Sequence, residues 1–222
     1  MTSPLLLSFE LALVTSCLLL ALGLPLAAWL AFTRTRLRFL LEAVVALPIV
    51  LPPSVLGFYL LLLFGSRGAL GAFWQRVAGH NLAFSFEGLV LGSVIYSLPF
   101  AVQPFTTAMA SVDRRLLTAS ESLGASSWRT FWRIIFPLSL PGVVTGFALS
   151  FAHTLGEFGV VLMVGGNIPG RTRTASLAIY DEVQSFDYAS AARESIVLLS
   201  ISFVLLLLIH ALNRRSAWRL GR

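Results

Sequence analysis

The sequence contains no lysine, and all 16 of its basic residues are arginine. Charge of either sign is scarce: Asp, Glu, Lys and Arg together make up 12% of the 222 residues. A soluble domain uses about twice that share to keep its surface wet. With 57% hydrophobic residues the chain cannot cover itself with polar groups, which argues against a soluble enzyme. Cysteine is limited to Cys17, so no intrachain disulfide or thiolate metal cluster can form, and a small buried apolar side chain is expected there. His80, His153 and His210 are far apart in sequence and make a poor case for a metal site.

What is present is long apolar runs. About 20 apolar residues are needed to cross the hydrocarbon core as a helix, and five candidate spans meet that requirement approximately: Leu5–Phe32, Leu40–Phe64, Gly88–Ala110, Leu138–Met163 and Ile196–Leu212. Residues Met1 to Pro4 carry no basic side chain and the first run is too long for a signal peptide's apolar region, so a retained span is expected. Within these limits there is no arginine, although Glu10, Glu42 and Glu157 are included. Arg34, Arg36, Arg38, Arg114, Arg115, Arg129, Arg133, Arg214, Arg215, Arg219 and Arg222, eleven in all, follow the first, third and fifth spans. Arg67, Arg76, Arg171, Arg173 and Arg193 fall on the opposite side. The positive-inside bias places the N-terminus outside and the C-terminus in the cytoplasm. The basic excess thus reports topology, and no nucleic-acid partner is expected. The expected fold is all-α and integral to the membrane, one domain over residues 1–222 with no separate soluble catalytic domain.

Residues 111–136 form a polar cytoplasmic segment, SVDRRLLTASESLGASSWRTFWRIIF. Leu116, Leu117, Ala119 and Leu123, then Trp128, Phe131, Trp132 and Ile135, recur at helical spacing on either side of Gly124. The pattern predicts two short amphipathic helices. Glycine at the corner either supplies a positive φ or lets another backbone approach. Such a pair either lies on anionic lipid or presents aromatic anchors and an arginine rim to a protein.

The segment's wording favours the second reading. Ala119, Gly124, Ile134 and Pro137 fall in the register Glu-Ala-Ala, three residues, Gly, nine residues, Ile, one residue, Leu-Pro, with Thr118, Ser120 and Phe136 as departures and Glu121 one helical turn along. This resembles the coupling loop of ABC-importer permeases. The resemblance implies a coupling helix docked in a cytoplasmic ATPase, with Ala119, Glu121, Gly124, Ala125, Arg129, Phe131 and Pro137 as the coupling residues. Further stretches are similar to the molybdate ABC transporter permease family: Leu47–Gly57, Phe64–Gly68, Phe84–Phe86, Leu155–Gly159 and Gly166–Thr174. Sulfate and tungstate permeases share several of these phrases. The resemblance implies a type I importer architecture in the bacterial inner membrane. It also implies a homodimer, two ATPases that bind ATP and Mg while this chain holds no cofactor, and a separate oxyanion-binding protein.

Pro48-x-x-Leu51-Pro52-x-x-Val55-x-Gly57 recurs as Pro137-x-x-Leu140-Pro141-x-x-Val144-x-Gly146, which predicts kinks in the second and fourth spans. With no arginine inside the spans, the path for an anion is expected to be lined by small polar groups. Ser54, Ser93, Gln103, Thr106 and Thr145 are candidates, and Ser97, Ser150, Thr154, Glu157 and Gly159 are assigned to path or gate. Glu157 is expected either to pair with Arg171 or Arg173 and close an outer gate or to be solvated in the mouth. Ser150 and His153 share a helix face, but no oxyanion hole or second partner accompanies them, so no catalytic site is expected. A gradient-driven carrier or membrane enzyme is the alternative from another class.

Overall fold

In a computed structural model that describes residues 3–220, every regular element is helical among those residues. In lipid this follows from the backbone itself, because a helix satisfies its own polar groups where no water can. Helix α1 (Pro4–Phe32) begins with proline at its first position, and Ser3 accepts a hydrogen bond from the Leu6 amide at 3.2 Å. Helices α2 (Arg38–Val50) and α3 (Pro53–Phe64) meet at a 110° bend. A short α4 (Ala69–Ala78) leads to α5 (Phe86–Ala110), capped by Ser85. The segment that follows holds α6 (Arg114–Ser122), α7 (Ser127–Thr130), a π-helical turn (Phe131–Ile135) and α8 (Phe136–Leu155). Then come α9 (Gly159–Gly165), α10 (Ala175–Gln184) and α11 (Tyr188–Leu220).

Helices α1 and α5 run parallel. Leu7 and Leu11 pack with Leu89 and Val90 at one end, while Ala27 and Leu30 join Val102, Phe105 and Met109 at the other. Two parallel spans need a crossing between them, and the α2–α3 pair supplies it. Val45 of α2 packs at the end where α1 and α5 finish, and Leu60 and Phe64 of α3 pack with Val160 and Val164 at the end where they start. The bent pair is therefore one broken span, bringing the total to five.

Helix α8 lies antiparallel against α5 at very short range. A Cβ built on Gly142 would meet the Ala108 Cβ at 2.2 Å, and one on Gly146 would meet the Phe105 ring at 2.5 Å. These glycines are spaced i, i+4, the small-residue pattern by which membrane helices approach each other when hydrophobicity gives no drive between them. Phe105, fully buried, fills the space that Gly146 and Gly23 of α1 leave open.

Several expectations are corrected. The fourth span is a continuous helical rod over Ser127–Leu155, so the second short helix of the loop is the start of that rod, and the span ends before Met163. Pro137, without an N–H, follows a π-helical turn in which the Phe136 amide reaches back to Phe131, and the wider turn accommodates the missing donor. The repeated proline motif has unequal outcomes: the chain breaks at Leu51–Pro52, whereas α8 continues past Pro141 to Leu155. The last apolar span begins at Tyr188, so Arg193 lies in a membrane helix and not in a loop, as do Arg129 and Arg133. All three are exposed near helix ends, where long side chains reach the interface. Cys17 is exposed in a groove with Trp128 and Trp132. Arg222 lies outside the described residues, as do Met1 and Thr2.

Gly146→Val is expected to lower the thermal unfolding midpoint of the purified protein by several degrees, as overpacking of about 1–3 kcal/mol would. Gly156→Ala is the control, since its added carbon meets nothing nearer than the Ala152 carbonyl at 3.8 Å. Equal midpoints for the two variants would contradict the α5–α8 packing.

Candidate functional site

Two regions gather the residues singled out in the sequence. At one end, Asp113 accepts from the Arg115 amide at 2.9 Å and starts α6. Past Leu123 the chain turns at Gly124, whose φ is +72°. No atom lies within 4 Å of where its Cβ would be, so glycine serves the left-handed backbone here and not a close approach. Ser126 caps α7 through the Arg129 amide. The hydroxyls of Ser120 and Thr130 sit 2.8 Å apart in a buried contact that staples α6 to α7. Ser120 is thus a departure from the family's second alanine with a structural role.

The outer edge of this corner is apolar and uncovered. Leu123 is 87% exposed and Trp128 72%. Ala119, Glu121, Gly124 and Arg129 are also exposed, and Ala125 is half-buried. Phe131 differs: it packs against the core cluster around Phe105 and Ile135 and touches Trp132 and Phe136. Phe131 and Pro137 belong to the rod, away from the corner's edge.

Toward the other end, Ser97 of α5 lies 2.9 Å from both His153 Nδ1 and the Thr154 hydroxyl of α8. The His153 ring stacks on Phe100 at 4.0 Å and faces Tyr96 at 4.8 Å. Ser150 is not part of this cluster. It donates to the Phe147 carbonyl at 2.8 Å and reaches Ser16 of α1. One residue beyond Thr154 the rod ends, and Glu157 lies in the break before α9. It is 4% exposed and stands beside Ser93, yet neither its carboxyl oxygens nor the Ser93 hydroxyl makes a hydrogen bond of good geometry. The Ser176 hydroxyl donates to the Glu157 backbone carbonyl. Gly159 lets α9 press on α3, since a Cβ there would meet that of Pro53 at 2.5 Å.

The expected partner of Glu157 is engaged elsewhere. Arg173 forms an ion pair with Asp181 at 2.7 Å and donates to Asn167, which in turn donates to both Asp181 oxygens at 2.9 Å. Buried Thr172 donates to the Gly165 carbonyl and accepts from the Ile168 amide. The Gly166–Thr174 phrase is therefore a locked turn. Arg171 is exposed at its rim, and neither arginine forms an ion pair with Glu157. Sequence reasoning missed the Gly142–Gly146 contact, although the spacing was readable. It also missed the Ser97–His153 pair, which no local spacing signals because the residues are 56 apart.

The sequence matches, over residues 23–218, the family described as binding-protein-dependent transport system inner membrane component. The chain belongs to that family of multi-pass inner-membrane permeases. The molybdenum transport system permease protein ModB of Azotobacter vinelandii is 47% identical over 211 residues, covering 95% of this chain and 93% of that one. The ModB protein of Escherichia coli K12 is 39% identical over 217 residues, covering 96% and 95%. A probable sulfate transport system permease, cysT of Chlorokybus atmophyticus, is 38% identical over 167 residues, covering 75% and 58%. Among solved structures, the inward-facing MetNI methionine ABC transporter superposes with a TM-score of 0.74 at 15% identity, over 96% of this chain and 94% of that one. The fold is thus that of a type I importer permease.

Thr130→Val would leave the Ser120 oxygen buried and unpaired, a cost of about 1–3 kcal/mol. Ser120→Ala combined with Thr130→Val is expected to cost less than the two single changes added together, read from unfolding midpoints as a double-mutant cycle. Strict additivity would show that the staple carries no energy.

Proposed function

We propose that this chain is the membrane-spanning subunit of an ATP-driven importer that moves molybdate into the cytoplasm. It works as a homodimer with two cytoplasmic ATPases, which bind ATP and Mg, and with a soluble oxyanion-binding protein outside. The observation that carries the reading is the end-to-end identity with ModB permeases. Two copies with five spans each give about ten helices around one path. The exposed apolar faces of α2, α3 and α11, including Val50, Tyr59, Leu199 and Phe203, suit lipid and a second copy.

In this reading α6 and the Gly124 corner are the coupling helix and its turn, with Leu123 and Trp128 as anchors beside Ala119, Glu121, Ala125 and Arg129. The arginine excess at that end supports a cytoplasmic loop, an external N-terminus and a cytoplasmic C-terminus. ATP binding draws the two loops together and turns the path outward, and hydrolysis resets it. Ser97 and Thr154 border the path, Ser150 ties α8 to α1 beside it, and the joint at Glu157, held against α3 through Gly159, is where the outer gate hinges. A dianion is costly to desolvate, so the membrane path passes it through weak contacts while selection rests with the binding protein. Sulfate is the second reading, favoured by the sulfate permease relative that aligns with 75% of the chain.

In vesicles holding the complete transporter and its binding protein, Leu123→Asp is expected to cut ATP-driven molybdate uptake at least tenfold with an unchanged unfolding midpoint. Gly124→Asn, which tolerates positive φ, keeps coupling, whereas Gly124→Val loses it. Uptake in Leu123→Asp at the wild-type rate would remove the docking role. Uptake that sulfate competes away at equal concentration would replace molybdate by sulfate. Glu157→Gln is expected to slow uptake and uncouple part of the ATP hydrolysis, and wild-type behaviour on both counts would remove Glu157 from the gate.

A further inference from the structure

The arginines that report topology are also arranged around a cavity. Near the end of α1, a space of about 490 Å³ is bounded by Thr33, Arg34, Arg38, Arg114, Thr118 and Glu121, with apolar neighbours such as Leu117. It adjoins a second cavity of about 680 Å³ through Arg38 and Ala110, which line both. The polar lining of that second space is the Arg38–Glu42 pair, Ser111 and a stripe on α5, Gln103, Thr106 and Thr107, at helical spacing. The Thr106 hydroxyl is buried there without a hydrogen-bond partner. Arg38 is paired with Glu42 at 2.7 Å. Among the described residues Arg34 and Arg114 have no carboxylate within ion-pair distance, and Glu121 is the one acid that borders the smaller space.

We propose that Arg34 and Arg114, with the Thr33 hydroxyl, form a release site for the transported oxyanion against the inner face of α6, beside the Arg38–Glu42 pair. The inference rests on the transport reading above. Arg34 and Arg114 line one cavity with, among the described residues, no acid paired to either; like charges there repel one another unless an anion joins them, and their planar donor forks match an oxyanion's oxygens. The space holds a hydrated tetrahedral anion. The α5 stripe provides hydroxyl and amide donors leading toward it. One wall is α6 itself: Arg114, Leu117, Thr118 and Glu121 recur at i, i+3, i+4 and i+7. An anion on its way out therefore presses on the same helix that carries the docking corner, so a filled site holds α6 in place until the anion leaves. An anionic phospholipid headgroup shares the oxyanion chemistry, but a lipid needs an apolar groove running on from its head. The smaller cavity is mostly polar, but the adjoining space is mostly apolar, with Leu30, Val45, Ala46 and Val102 beside the α5 stripe, so lipid is the competing occupant that the nanodisc arms below distinguish.

The test is equilibrium binding of labelled molybdate to the complete permease–ATPase complex in nanodiscs of zwitterionic lipid, without nucleotide or binding protein. Wild type is expected to bind one molybdate per permease chain, more tightly at low salt. Arg34→Gln and Arg114→Gln are each expected to weaken binding by about tenfold, the size of one charge-assisted hydrogen bond. Arg36→Gln, which does not border the cavity, keeps wild-type affinity. Equal affinities for Arg114→Gln and Arg36→Gln would overturn the site. So would nanodiscs with added anionic phospholipid in which wild type retains that lipid, Arg34→Gln and Arg114→Gln lose it, and molybdate fails to bind. ATP-driven molybdate uptake by the same preparations separates the two levels: uptake intact with unaltered binding in Arg114→Gln removes the release site alone, and no uptake by wild type removes the transport reading.

Discussion

Two glycines one helical turn apart on α8 allow its backbone to lie against α5, and the remaining geometry depends on that approach. Between membrane helices lipid is as apolar as leucine, so close packing and a few hydrogen bonds must hold what hydrophobic burial holds in water. Gly142 and Gly146 meet Ala108 and Phe105, and further along the same seam Ser97 reaches His153 and Thr154. Were the two helices pushed apart by one methyl group, the Ser97 bonds would lengthen and Glu157, at the end of α8, would leave the side of Ser93. The seam also sets the loop end, because α5 leads into α6 and α8 grows out of α7.

Much of this architecture was legible in the sequence, and the reasons differ by element. Four of the five spans are long apolar runs whose length alone announces them, and the corner at Gly124 was readable because a positive φ leaves a glycine behind. The bend of the second span was harder. Pro48 and Pro52 signal a disturbance, but proline fixes only its own φ and says little of the direction the chain takes next, and the parallel α1 and α5 decide that. The same words around Pro141 gave no break, since α8 there is clasped by α5. The continuation of the loop's second helix into the fourth span was hidden by the arginines at 129 and 133, whose charge reads as water while Phe131 already packs on the helical core.

The candidate site divides along similar lines. The residues proposed for coupling near the corner lie within a dozen positions of one another, so helical spacing predicts their faces. The Ser97–His153 pair and the arginine-lined cavity join elements far apart in sequence, and no periodicity could group them. The pairing offered for Glu157 failed for a physical reason: Arg173 had a nearer carboxylate in Asp181, reinforced by Asn167, and a guanidinium fork already filled in this way is not free for a buried acid.

The uninterrupted rod from Ser127 to Leu155 makes one solid body of two places that serve different ends of the molecule. At 1.5 Å per residue it is about 40 Å long, with the Gly124 corner at its foot and the Glu157 joint at its head. It is a lever whose pivot is the glycine contact with α5, nearer its middle than either end. In the proposed importer a small tilt at Trp128 would arrive at Leu155 reversed in direction and comparable in size, and the π-helical turn, the widest coil along the rod, offers the shaft a place to take up twist.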